Sequence, residues 1–358
     1  ARSWCAFANA TPLVDYLNST EPYKNHMGKI HNFGLISGRP GAAEFARWLV
    51  FRTTRVGAEK AAQEYHDYID AVTIPVFHVM LVPRVQVEES YSFNNGVRIL
   101  PAKESPNIFF ANAIEDQQFG SPIPTSQIQS ILLIQSEQQK HWADCGPWPE
   151  VTTQREASFK KMRQTALLLA LTLPGEDGVH PIARGVISSD EVPVMAVQFP
   201  WEWLPFKPDF GRAPVIEGSF MEADELIAAF AMLTEEYQEK LMVPLSKLNG
   251  YCSNSALIDR AIDLRTTMES LFVPPNASQV TKKLGCRTAR LLGTSDSEKD
   301  QISTLMQKAY GTASDAAHRG KFKDDDKTPS ETLFKAFKLT TKAIKKMIRG
   351  GQPDWGRI

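Results

Sequence analysis

LMQKAYGTASDAAHRGKF, residues Leu305–Phe322, decides how the second half of this chain is read. Its apolar residues return every three or four positions, which predicts one face of an α-helix running from about Glu298 to His318. Similar patterns surround it over about Glu222–Leu248, Ala256–Phe272, Ser278–Leu292 and Ser330–Ile348. Breaks are expected at Asn249-Gly250, at Val273-Pro274-Pro275-Asn276, at Gly293-Thr294-Ser295-Asp296 and from Gly320 to Pro329. Ser278, Ser297 (with Asp300 three residues on) and Pro329-Ser330 read as helix starts. Long helices on short connections must lie antiparallel to their neighbours, so residues 221–358 are expected to form an all-α bundle.

Upstream the sequence changes character near Gly218. Ala42–Asp70 reads as a helix around an internal Gly57, and Val151–Leu173 as another ending at Pro174-Gly175. Strands are expected over Ile74–Val87, where Pro83 argues for an edge or a break, over Ile128–Ile134 and over Val192–Phe199. Asn94-Asn95-Gly96 reads as a hairpin turn, and PWEWLPFKPDFGRAP as a loop leading into the bundle. The fold class is therefore two-domain, with an N-terminal α+β domain over 1–220 and a C-terminal helical one over 221–358.

Composition excludes several classes. The 358 residues are 42% hydrophobic and 23% charged, which is a globular balance. Lys and Arg number 40 against 41 acids, so a uniformly basic nucleic-acid coat is excluded, though a basic face is not. The longest apolar run, Ala166–Leu173, is too short to span a membrane, and ARSWCAFANATP lacks a signal-peptide layout. Four scattered cysteines make neither a zinc set nor a disulfide framework, so a cytoplasmic protein is expected. GLISGRPG fits no phosphate loop, His26 and His31 lack a third ligand, and Cys145 lacks an adjacent base. Trp201 and Trp203 read as packing, and Lys323–Lys327 as a solvated linker.

Four segments taken in order carry a resemblance. ALIDRAIDLRTTMESLF (Ala256–Phe272), KLGCRTARLLG (Lys283–Gly293), LMQKAYGTASDAAHRGKF and the closing LTTKAIKKMI with GGQPDWGRI resemble the HEPN superfamily, specifically its ApeA-like branch. The likeness covers about 221–358 and rests on Asp263, Glu269, Arg287 and Tyr310 as structural motif residues. It implies an all-α HEPN-like helical bundle, a homodimer and, in active members, an RNA endonuclease needing neither metal nor cofactor. The family signature is an arginine, four residues and a histidine. His318 matches the histidine, Ser314 the polar residue after the arginine, and Tyr310 the preceding aromatic, but the arginine position is Ala313. The resemblance thus places the catalytic position at Ala313, Ser314, Asp315 and His318. Because the pattern around it is kept, the expectation is a nuclease inactivated at Ala313 by an introduced change, with arginine restoring cleavage. The alternative is a non-catalytic RNA- or nucleotide-binding, dimerising scaffold protein.

The chemistry of that helix can be read without the family. RNA transesterification needs a base, an acid and a cation for the phosphorane. Histidine serves as either acid or base near neutral pH, and two chains would supply two. Ser314 and Asp315 lie four and three residues before His318, on the face from which they can orient its ring. From Arg319 to Arg349 there are ten cations and four acids. Arg319, Lys321, Lys335, Lys338, Lys342, Lys345 and Lys346 are the expected RNA contacts, the last five forming a stripe on the final helix. The expected partners are RNA (tRNA among its candidates), a second copy of the chain and a phage-derived trigger at the α+β domain, with no membrane. The expected role is a cytoplasmic anti-phage, abortive-infection effector.

Overall fold

The computed structural model describes residues 11–21, 31–33, 36–38, 42–83, 85–107, 110–111, 114, 128–139, 141–142, 149–173, 178–193, 201–204, 220–274, 276–323 and 328–356. The chain forms two compact units: one of Ala1–Ser92, Gly96–Met162 and Pro181–Pro205, the other of Phe93–Asn95, Arg163–His180 and Phe206–Ile358. The second unit therefore draws in Phe93–Asn95 and Arg163–His180 from earlier in the chain, and its last stretch starts at Phe206.

The first unit is built on an antiparallel six-stranded sheet. Its middle strand is β3 (Thr73–Pro83), flanked by β6 (Ile128–Gln139) and β8 (Ala183–Ser188). Outside β6 lie β5 (Arg98–Pro101) and β4 (Tyr91–Ser92), and outside β8 lies β9 (Glu202–Trp203). The β3–β6 ladder runs from Thr73↔Gln139 to Leu81↔Ile131 and shifts register between Val82 and Pro83. Pro83 is thus a break, as one of its two readings expected, and not an edge marker: its strand has neighbours on both sides. Nearly every β3 residue is buried, which explains why the strand is continuously apolar and does not alternate. The Asn94–Gly96 turn forms as expected, with Gly96 at φ 82° and Tyr91 opposite Ile99.

A smaller sheet orders β2 (Ile36–Gly38), β1 (His31–Phe33) and β7 (His141–Trp142). The first unit also holds α1 (Thr11–Ser19). The expected helix at 42–70 is two, α2 (Ala42–Val56) and α3 (Ala58–Asp70), because Gly57 sits at φ 87° and ends the α-helical path. Across that corner Arg52 forks onto Glu64, with both hydrogen bonds at 2.8 Å. The next helix, α4 (Pro149–Ala170), starts two residues before its expected position and contains the division between the units. The expected strand Val192–Phe199 lies outside the described residues from 194 on, as do all of 200–214 but 201–204.

The second unit is helical. After α4 come α5 (Phe220–Ala231), α6 (Glu235–Ser253), α7 (Leu257–Phe272), α8 (Val280–Leu292), α9 (Asp296–Arg319) and α10 (Pro329–Gly350). One expected helix, 222–248, is broken at Thr234, whose hydroxyl caps α6 by accepting from the Tyr237 N–H. Conversely, Asn249-Gly250 is not a break. The Asn249 side chain bonds both backbone groups of Val179, and Gly250 leaves room for Asp263, whose Oδ2 a Cβ would meet at 2.6 Å. The α9 cap is Ser295, two residues before the expected Ser297; it accepts from the Glu298 N–H while Glu298 reaches back to Thr294. The core of α9 is the stripe Ile302, Met306, Ala309, Ala313 and Ala316, spaced three or four apart.

Helices α8 and α9 pack closely because Gly285 has no side chain. A Cβ there would stand 2.9 Å from the Ser303 carbonyl oxygen, which is backbone and cannot swing away. Gly285→Ala is expected to destabilise the chain by about 1–3 kcal/mol, read as a lower urea midpoint at unchanged slope. Among the described residues no helix is long and apolar enough to cross a membrane.

Candidate functional site

His318 lies in the last turn of α9, which Gly320 ends in the left-handed conformation at φ 64°. The ring is exposed. Its Nε2 stands 3.1 Å from Nη1 of Arg265, which comes from α7. Nε of that guanidinium donates to Glu269 Oε1 at 2.9 Å, one helical turn on. The same oxygen accepts the Tyr310 hydroxyl at 2.6 Å, and the Arg265 Cζ lies 5.6 Å from the Tyr310 ring centre. Four side chains from two helices thus form one connected cluster. Tyr310 and His318 are eight residues apart on α9, so they share a face.

The electrostatics are consistent with this network. Partial burial works against the Arg265 charge, but the hydrogen bond and the proximity of the Glu269 carboxylate outweigh it and raise the arginine pKa. Partial burial, with the Glu269 hydrogen bond beside it, raises the Tyr310 phenol, so it remains a donor near neutral pH. A guanidinium has only hydrogens to give, so His318 Nε2 accepts and the ring proton belongs on Nδ1.

The other expected catalytic positions are placed differently. Ala313 is wholly buried, in the apolar stripe of α9, about 140° around the helix from His318. Ser314 and Asp315 are half-buried, and neither is hydrogen-bonded to the histidine among the described residues. Asp315 instead faces Arg319 at 3.6 Å and Lys323 at 3.4 Å. Arg265 was missed in the sequence. Its signal was the i,i+4 spacing to Glu269 on the acidic helix, which alone says nothing about α9.

The motif residues hold the bundle. Asp263 accepts from Lys247 at 2.9 Å and Asn254 at 2.8 Å. Arg287 Nη1 donates to the Phe272 carbonyl at the end of α7 at 2.8 Å, and its guanidinium lies over Trp355 of the Pro-Asp-Trp ending.

The basic stripe on α10 divides in two. Lys345 pairs with Glu222 at 2.9 Å and is mostly covered, and Lys346 Nζ donates to the Leu291 carbonyl at the C-terminus of α8. Arg349 joins Glu222 at 3.1 Å. Lys335 bonds Glu331 at 2.7 Å on the surface, and Lys338 lies over the Phe334 ring at 4.2 Å. Lys321, Lys335, Lys338, Lys342 and Lys346 are exposed. The exposed stripe therefore keeps four of its five expected lysines and loses Lys345.

Among the described residues no three His, Cys, Asp or Glu side chains converge as a metal-holding group. No family model, curated protein or solved structure matches this chain. The class its residues define is a helical bundle joined to an α+β unit built on an antiparallel sheet, with a histidine-arginine cluster on the bundle surface.

Proposed function

We propose that the helical unit is a HEPN-type, metal-independent RNA endonuclease working as a cytoplasmic homodimer. The observation that carries the reading is the exposed His318 imidazole held beside a guanidinium, on a unit whose last helix presents lysines to solvent. An acid-base group next to a fixed cation is what cleavage at a phosphodiester requires. In this reaction the 2′-oxygen gives its proton to one imidazole and bonds to phosphorus. The P–O5′ bond breaks, and the leaving oxygen takes a proton from the imidazolium of the second copy. The products are a 2′,3′-cyclic phosphate and a 5′-hydroxyl.

The biological role in this proposal is anti-phage abortive infection, with the α+β unit restraining the nuclease until a phage-derived trigger arrives; tRNA is a candidate substrate. The competing reading, a non-catalytic RNA-binding or dimerising scaffold, has Ala313 in its favour. Incubating the full chain with RNA in excess chelator separates them. Fragments ending in cyclic phosphate are expected; no cleavage by either the unchanged chain or Ala313→Arg overturns the nuclease.

RNA binding has its own test. The double substitution Lys338→Gln and Lys342→Gln is expected to weaken binding of single-stranded RNA and to reduce the slope of log K against log salt by about 1.4, roughly 0.7 for each lost phosphate contact. An unchanged slope in a filter-binding salt series would remove α10 from the RNA path.

A further inference from the structure

The signature arginine is absent at 313, yet a guanidinium does meet the histidine, and it comes from another helix. We propose that Arg265 of α7 is the catalytic cation: it holds the scissile phosphate beside His318, so that the chain is competent with alanine at 313. This inference rests on the nuclease reading above and makes a claim that reading does not need.

Position is the first argument. The Arg265 Nη1 is already within hydrogen-bond distance of the imidazole nitrogen, so a phosphate at this guanidinium is also at the base. An arginine at 313 would start from the buried stripe of α9, on a different side of the helix. The place that the signature assigns to its arginine is thus filled in this chain by packing, and the charge stands on α7.

Preorganisation is the second argument. Glu269 fixes the Arg265 Nε, Tyr310 fixes Glu269, and the Tyr310 ring lies beside the guanidinium. The Tyr310 hydroxyl also hydrogen-bonds the guanidinium, so the planar fork is held in place to meet an oxyanion, as arginine does with phosphate. A cation held this way needs little reorganisation when charge develops on the phosphorane. Glu269 and Tyr310 are positioning residues here; they act through Arg265. The other nearby cations are less suited: Arg319 and Lys323 share the Asp315 carboxylate.

The third argument is the proton. Nε2 accepts from Arg265 in the free protein, so its lone pair is masked until substrate arrives. When phosphate oxygens draw the guanidinium hydrogens, that lone pair is released next to the 2′-hydroxyl. It then takes the 2′-proton as the O2′–P bond forms and the P–O5′ bond breaks, with the second copy's imidazolium protonating O5′. Binding of the phosphate thereby exposes the base.

The test uses the full chain, a single-stranded RNA oligomer and excess chelator. The unchanged chain is compared with Arg265→Gln, Arg265→Lys and Ala313→Arg, and a thermal melt of each reports folding. The unchanged chain is expected to cleave. Arg265→Gln is expected to lower kcat by about 10²–10³-fold with a smaller change in KM. Should that variant fail to fold, Arg265→Lys decides, with an expected loss of at least about 10-fold because a point charge replaces a planar fork. Nitrogen-15 NMR of His318 is expected to show the Nδ1–H tautomer in the unchanged chain and its loss in Arg265→Gln, which checks the hydrogen bond itself, while the loss in kcat checks its part in the reaction. Full-rate cleavage by Arg265→Gln overturns the proposal and leaves the nuclease standing, as does cleavage by Ala313→Arg alone. Cleavage by neither the unchanged chain nor Ala313→Arg removes the nuclease, and this proposal with it.

Discussion

His318→Ala is expected to reduce RNA cleavage by the full chain about 10³-fold or more without changing its stability measurably. General acid-base catalysis contributes about 10²–10⁴-fold for a single proton transfer. In a homodimer one substitution removes both imidazoles, so the attacking and the leaving oxygen each lose their partner. The fold has little to lose. The ring is exposed and its hydrogen-bond partner among the described residues is Arg265, whose Nε stays on Glu269. A surface change of this kind falls within about 0.5 kcal/mol. Initial rates in chelator, with a thermal melt beside them, separate loss of chemistry from loss of structure. A variant that melts normally and cleaves at the parent rate would take the histidine out of the reaction.

A second large effect is expected from a different histidine. His78 is in the middle of β3, buried, with Nε2 at 3.0 Å from the Ser136 hydroxyl and with no partner for Nδ1 among the described residues. The Phe159 ring meets it edge-on. Burial, with the charge of Arg155 as a smaller cause, lowers its pKa from 6.5 to about 4. Between those values the unfolded chain binds a proton that the folded one refuses, so stability rises with pH across that window. The contribution is fully present above about 6.5 and is lost as pH falls towards 4, on the order of 3 kcal/mol in all. Urea unfolding at several pH values should show that fall in the parent and a flatter one in His78→Gln. Equal slopes in the two proteins would mean that the site is not protonated on unfolding.

The bundle was legible because its helices bury a stripe, and a stripe has a period. The errors fell where a local signal met a tertiary one. Asn249-Gly250 looks like a turn, but there the side chain satisfies the Val179 backbone and the glycine accommodates Asp263, so α6 continues to Ser253. Thr234 follows Met232 and Leu233 without any loss of apolar character, and the cap that ends one helix and starts the next was not apparent. Strand β8, ARGVIS, is short and carries a glycine, so nothing in its pattern set it apart, although it lies beside the middle strand.

The site divides along similar lines. His318 and Tyr310 could be read from one helix. Arg265 could not, because its role depends on α7 and α9 crossing at that height, a relation between segments about fifty residues apart that no local spacing encodes. Ala313 stands at the position of the signature arginine in sequence, and in the fold it packs in the stripe with Ala309 and Ala316. Of the expected lysine stripe, Lys345 closes an ion pair with Glu222 and is mostly covered, whereas Lys346 is exposed and also caps a helix end.

The most direct measurement uses one oligoribonucleotide with a mapped cut and a second in which only the nucleotide 5′ to that cut lacks its 2′-hydroxyl. With the full chain in excess chelator, the account predicts that the first is cut to a 2′,3′-cyclic phosphate and that the second survives at that bond. Scission at the deoxy position at the same rate would mean that water attacks the phosphorus, and would contradict a reaction in which His318 takes the proton of the neighbouring 2′-hydroxyl.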